Sequence, residues 1–261
     1  MSILYEKEGH IVTITLNRPE RLNAMSRQMV AELKEAWHTF RADDDARVAI
    51  VTGAGEKSFC AGVDLKEVAE RSETWHREVF WQDHTYGFGG TLEEGMALWK
   101  PVIAAVNGYC IGGGFTLILG ADIRICSENA TFSFPEVKVG LPTITGAILL
   151  PRTVPLGWAA QLLLAGDTID AQTALRIGLV NNVYPQADLM REARALAQRL
   201  ADNAPLAVRV TKEVMIRGLD MPFERSFVMG EYLRRIARDT EDSREGPRAF
   251  KEKRKPRFQG R

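Results

Sequence analysis

Two short runs, Val48–Thr52 (VAIVT) and Val102–Val106 (VIAAV), are apolar at every alternating position, and glycine follows each of them closely. A strand without a polar face must be covered on both sides, which points to parallel strands joined by helical crossovers. The first run enters the turn Gly53-Ala54-Gly55. The second leads through Asn107-Gly108 to Gly112-Gly113-Gly114, from which a helical run starts at Phe115. This repeat of buried strand, glycine turn and helix predicts an α/β fold.

The rest of the chain fits that class. His10–Asn17 (HIVTITLN) is β-branched and alternating, a strand closed by Arg18-Pro19. From Ser26, the residues Met29, Val30, Leu33, Trp37 and Phe40 recur at helical spacing, with Ser26 as N-cap and Asp43-Asp44-Asp45 ending the helix. Ile123–Cys126 and Thr131–Phe134 read as two further strands. After Pro151 the pattern turns helical, over Trp158–Ala165, Ala171–Ile177, Asp188–Asp202, Pro205–Arg217 and Glu224–Arg238. Without a Pro/Ser/Gly linker, the expected organisation is a core over residues 1–200 and a helical region over 201–261 packed on it.

Composition excludes several function classes. The 261 residues carry 34 Lys+Arg against 34 Asp+Glu, so no basic excess supports a nucleic-acid surface. Six basic residues do crowd Lys251–Arg261 (KEKRKPRFQGR). The apolar stretches fall far short of the roughly 20 residues that span a membrane. The charged start, MSILYEKEGH, does not read as a secretory signal. Three scattered cysteines, Cys60, Cys110 and Cys126, read as buried thiols in a reducing compartment. A cytoplasmic location is expected.

Two motifs mislead. TGAGEKS at Thr52–Ser58 imitates a phosphate loop, but Glu56 stands where the spacing requires glycine. The four histidines lie at no convincing metal-ligand spacing, so no metal is expected.

Three segments carry chemistry instead. Gly112-Gly113-Gly114 opens a helix, where backbone N–H groups lack intrahelical partners and the dipole is positive; it reads either as an oxyanion site or as tight packing. Phe59–Val68 (FCAGVDLKEV) repeats the plan, with Gly62 at a turn and Asp64-Leu65-Lys66-Glu67 as a capping box, which leaves the Val63 N–H potentially free. Two such turns could supply a two-donor backbone oxyanion hole. Glu136, in Phe132–Gly140 (FSFPEVKVG), is a carboxylate in an apolar stretch, either a general acid/base or a surface-loop acid beside Lys138.

These segments together resemble a known family. N-R-P-x-x-x-N-A-M at Asn17–Met25, F-C-A-G-x-D-L at Phe59–Leu65, K-P-V-I-A-A-V-N-G-Y-C-I-G-G-G at Lys100–Gly114 and F-x-F-P-E at Phe132–Glu136 resemble the enoyl-CoA hydratase/isomerase (crotonase) superfamily. Leu175–Val180 and A-F-x-E-K-R at Ala249–Arg254 match as well. The resemblance implies a crotonase-like right-handed spiral of ββα units with a C-terminal helical region that builds homotrimers, often paired as dimers of trimers. It implies an acyl-CoA thioester substrate, with coenzyme A entering as part of that substrate and no separate cofactor. Val63 and Gly113 would hold the thioester oxygen. Arg21, Leu22, Ala24, Ala61, Gly62, Asp64 and Leu65 would line the CoA site, and Phe250 and Lys253 would reach CoA from a neighbouring subunit.

One departure bears on the reaction. Hydratases of the family carry a second glutamate shortly after the triple glycine; here that position is Thr116, whose hydroxyl is a poor base. A 1,3-proton shift needs one carboxylate, so the chemistry leans toward isomerisation or an unusual hydration. Decarboxylation, C–C bond hydrolysis and a non-catalytic CoA-ester binder stand as alternatives. Aromatic residues of Lys66–Trp99 read either as a wall for a bulky acyl group, where Asp83 or His84 could replace the missing glutamate, or as helical core packing.

Overall fold

The computed structural model describes residues 1–69 and 98–261. Elements are numbered over those residues. Of the segment expected to form the aromatic wall, residues 70–97, with Asp83 and His84, lie outside them.

Strands β1 (Ile3–Glu8) and β2 (Ile11–Leu16) form an antiparallel hairpin. β2 then pairs in parallel with β3 (Val48–Gly53), and β3 with β5 (Val102–Val106). Parallel β7 (Ile123–Ser127) and β10 (Asn182–Tyr184) complete a six-stranded sheet of order β1-β2-β3-β5-β7-β10. A second sheet, of order β4-β6-β8-β9, holds the short strands β4 (Ser58–Cys60), β6 (Tyr109–Ile111), β8 (Thr131–Ser133) and β9 (Thr168–Asp170). Successive pairs β3–β4, β5–β6 and β7–β8 each give one strand to each sheet, which is the expected ββα spiral. All six residues of β3 and all five of β5 are buried, as their composition requires.

Glycine lets the two sheets cross closely. A Cβ on Gly53 would stand 2.5 Å from the carbonyl oxygens of Ser58 and Phe59, and one on Gly108 2.2 Å from that of Lys57. Asn107 Nδ2 donates to the Gly53 and Gly55 carbonyls at 2.8 and 2.7 Å. The false phosphate loop is therefore a packed strand crossing.

Helix α1 (Arg27–Ala42) buries Met29, Leu33, Trp37 and Phe40 on its predicted face. Ser26 Oγ accepts from the Met29 N–H at 3.1 Å, the expected cap. Ser26→Ala should lower stability by about 1 kcal/mol, read as a shifted urea midpoint at unchanged slope. At its other end, buried Lys100 donates to the Phe40 and Asp43 carbonyls at 2.7 and 2.6 Å. That burial lowers the Lys100 pKa to about 8.

Helices α2 (Leu65–Ala69), α3 (Gly113–Leu119) and α4 (Thr145–Thr153) follow the strand pairs. The helix at 156–165 is two pieces, α5 (Leu156–Ala160) and a π turn at Gln161–Ala165. α6 (Ala171–Arg176) and α7 (Leu189–Ala201) match the sequence pattern, and α7 packs on the outer face of the six-stranded sheet. α8 (Pro205–Gly218) is fastened to the core by Lys212, which pairs with Asp122 at 2.7 Å and donates to the Lys100 carbonyl at 2.9 Å. α9 (Phe223–Arg238) and α10 (Glu241–Lys251) complete the chain. Among the described residues no helix is long and apolar enough to cross a membrane, and no cluster of ligating side chains could hold a metal.

Candidate active site

The register between β4 and β6 sets the geometry. Cys60 stands opposite Cys110 in this parallel pair. Val63 and Gly113 each lie three residues beyond their cysteine, so adjacent turns carry the two amides to one place. A Cβ on Gly62 would stand 3.0 Å from the Ile111 carbonyl oxygen and 3.5 Å from the Gly113 nitrogen. At φ +88° Gly62 also occupies a conformation that other residues rarely adopt.

Among the described residues both amides are left without a protein partner. In the bridge between Met25 and Val63, Met25 donates to the Gly62 carbonyl at 2.8 Å and Asp64 donates to the Met25 carbonyl at 3.0 Å. The Val63 N–H therefore faces away from Met25. Gly113 begins α3, where no intrahelical acceptor exists. Among the described residues, neither N–H donates a hydrogen bond.

Glu136 comes to the same place. It lies in a 3-10 turn, Pro135–Val139, and its carboxyl packs against Gly112: a Cβ there would stand 2.9 Å from Oε1. Its Oε2 is buried and has no hydrogen-bond partner among the described residues. Burial raises the Glu136 pKa, opposed by its own backbone N–H and by the Thr143 hydroxyl beside it. The surface-loop alternative for Glu136 is therefore replaced by a half-buried carboxyl facing a glycine turn.

Thr116 lies in α3, one turn beyond Gly113, buried, with its N–H bonded to the Gly112 carbonyl at 2.9 Å. The cysteines are buried free thiols, and burial pushes Cys60 and Cys126 up to about 12. That makes them inert packing groups.

The two segments expected to hold CoA do meet. Ala61 donates to the Leu22 carbonyl at 3.0 Å, and Arg18 reaches Asp64 and the Ala24 carbonyl at 3.2 and 2.7 Å. Asn23, fully buried, donates to the Ala54 and Ser58 carbonyls at 3.0 and 2.8 Å. Leu22 and Asn23 both hold left-handed backbone, at φ 51° and 55°, a strained pair that this bonding fixes. The result is a ledge with Arg21, Leu22 and Leu65 exposed and Ala24 and Ala61 half-buried beside Gly62.

Two expectations are modified. The capping box does not close: Asp64 caps the Lys66 N–H at 3.2 Å, but Glu67 accepts from the Arg27 N–H at 3.0 Å instead of reaching back. Nor is the basic tail a free cluster, because Arg254 binds Glu245 and Glu252, and these arginine contacts hold Glu245 far below the usual carboxylate range. Phe250 and Lys253 are exposed and do not join the ledge within one chain. Their tail turns back to Arg47, at the opposite end of β3 from the glycine turn.

Comparison with known proteins shows the family. Residues 6–261 match the family model described as enoyl-CoA hydratase/isomerase. The chain is 42% identical to the (E)-benzylidenesuccinyl-CoA hydratase of Thauera aromatica over the full length of both. It is 43% identical to a carnitinyl-CoA dehydratase of Escherichia coli O157:H7, covering 100% of this chain and 99% of that one. Its fold superposes on the crystal structure of an enoyl-CoA hydratase from Bacillus anthracis with a TM-score of 0.93, at 36% identity and complete coverage of both. The spiral is thus the crotonase fold, and the chain belongs to the enoyl-CoA hydratase/isomerase family.

Proposed function

We propose that this enzyme adds water to, or removes it from, the double bond of a 2-enoyl-CoA thioester with a bulky acyl group. The thioester oxygen lies between the N–H groups of Val63 and Gly113. Glu136 takes a proton from water as the oxygen bonds to C3, which places the charge on the thioester oxygen as an enolate. The same carboxyl then returns a proton to C2, so the net change is one added water. The observation that carries this reading is the buried Glu136 Oε2, unpartnered among the described residues, beside the turn that holds the Gly113 amide. The names of the full-length relatives, a hydratase and a dehydratase, favour hydration, and that of the first favours an aryl-substituted acyl group. No cofactor beyond the CoA of the substrate is required.

CoA would lie along Arg21, Leu22, Ala24, Ala61, Gly62 and Leu65, with Asp64 holding the ledge through Arg18. Phe250 and Lys253 would serve a neighbouring subunit. Self-association into trimers is supported by α9, which leaves Phe223, Phe227, Val228, Tyr232 and Ile236 exposed.

Isomerisation is the second reading, favoured by Thr116 in place of a second glutamate. Incubation with a panel of 2- and 3-enoyl-CoA esters in deuterated water, followed by mass spectrometry, separates the two. Gain of one water is the expected result. Deuterium incorporation at unchanged composition would replace hydration by isomerisation, and binding without change of any ester would leave only a CoA-ester binder.

A further inference from the structure

The direction of the Val63 N–H is set by a loop far from it in sequence. Residues 22–25 run beside residues 61–64. Ala61 donates to the Leu22 carbonyl at 3.0 Å, Met25 to the Gly62 carbonyl at 2.8 Å, and Asp64 to the Met25 carbonyl at 3.0 Å. The Gly62 carbonyl and the Val63 N–H belong to one planar trans peptide, so they point in opposite directions. The bond from Met25 therefore aims the Val63 N–H away from the ledge. Gly62, at φ +88° and without a side chain, offers little resistance of its own to rotation of that peptide.

What holds Met25 in place is the residue two positions before it. Asn23 is fully buried, and its amide is bonded on three sides. Nδ2 donates to the Ala54 and Ser58 carbonyls at 3.0 and 2.8 Å, while Oδ1 accepts from the Arg18 N–H at 2.9 Å. Ser58 Oγ completes the attachment by donating to the Leu22 carbonyl at 2.8 Å. The left-handed pair Leu22 and Asn23 is thus fastened to the start of β4, the strand that leads into the Val63 turn. Gly113 has a separate support, the first turn of α3.

We propose that Asn23 is a positioning residue that locks residues 22–25 onto β4 and so, through Met25 and the Gly62–Val63 peptide, aims the Val63 amide at the thioester oxygen. The proposal rests on that amide as an oxyanion donor. Loss of the Asn23 bonds weakens one donor of the pair and leaves Gly113 in place.

The test uses 3-phenylpropionyl-CoA, isotopically labelled at the thioester carbonyl, which lacks the double bond and is not hydrated. Difference infrared spectroscopy reads its carbonyl stretch when bound. In wild type, two N–H donors should lower the stretch below that of the free ester. Asn23→Gly keeps the left-handed backbone without strain but loses the side-chain bonds. Asn23→Asp keeps the shape, and an ionised carboxylate cannot donate to the Ala54 and Ser58 carbonyls. In both variants the lowering should shrink by about half, as one of two donors is misdirected. With a 2-enoyl-CoA ester kcat should fall at least about tenfold, since full loss of one oxyanion donor costs about 10²–10³. Lys100→Met is the control, because it strips the Phe40 and Asp43 carbonyls of a buried donor at the opposite end of β5 from the glycine turn. It should lower the melting temperature and leave the stretch and kcat unchanged. All proteins are measured well below their melting ranges. A stretch equal to wild type in both Asn23 variants, or an equal change in Lys100→Met, overturns the proposal while the two-amide reading stands. A wild-type stretch no lower than that of the free ester overturns that reading and the proposal with it.

Discussion

Glu136→Gln should reduce turnover at least about a thousandfold, since general acid/base groups typically contribute 10²–10⁴ and no second carboxylate stands at Thr116. Affinity for a CoA ester should be kept, because the ledge and both N–H donors are backbone features that the substitution leaves in place. Steady-state kinetics together with calorimetric titration of the ester would measure the two quantities. Turnover close to wild type would remove Glu136 from the mechanism.

The same substitution has a signed effect on stability. Burial raises the Glu136 pKa in the folded chain, so folding favours the protonated carboxyl. Its contribution is fully present below the unfolded pKa and is lost as pH rises through the folded value. Glutamine cannot ionise, so Glu136→Gln should gain in melting temperature over wild type as pH rises through that window. Below the ordinary glutamate range the gain should vanish.

Gly112→Ala is the second large expected effect. The backbone there has φ 53° and ψ −117°, and the added Cβ would stand 2.9 Å from Glu136 Oε1. Strain of about 1–3 kcal/mol is expected from the backbone alone. The contact also pushes the carboxyl aside, and a displacement near 1 Å can cost about 10²-fold in rate. Gly178→Ala is the control. It has φ 78° and nothing within 4 Å of the built Cβ, so it should lose stability but keep kcat. Equal kcat in the two variants would separate Gly112 from catalysis.

The doubly buried strands, Ser26 and the glycine turns were legible in the sequence because each follows from local pattern. Helix α4 was not. Its residues include Pro151 and the small Gly146, which lies against the ring of Phe134 from the preceding strand segment. The short strands β9 and β10 were also missed, since three residues show no period. In the site, Gly113, Val63 and Glu136 could be named from the sequence, whereas Asn23 holds the ledge through contacts that only the folded loops create. The pairing of Arg254 with Glu245 was hidden for the same reason, so a run of basic residues overstated the free charge at the tail.

The pairing of Cys60 with Cys110, reached after a register shift beyond Ser58, has a consequence for how the proposed reaction could be altered. The spacing of the two donor amides follows from the distance between neighbouring strands, about 4.8 Å, and from two turns of equal length. It behaves like a lattice constant, indifferent to which side chains surround it. On the proposed mechanism, a change in the acid/base would therefore redirect the enolate without rebuilding the pair of amides proposed to hold its charge.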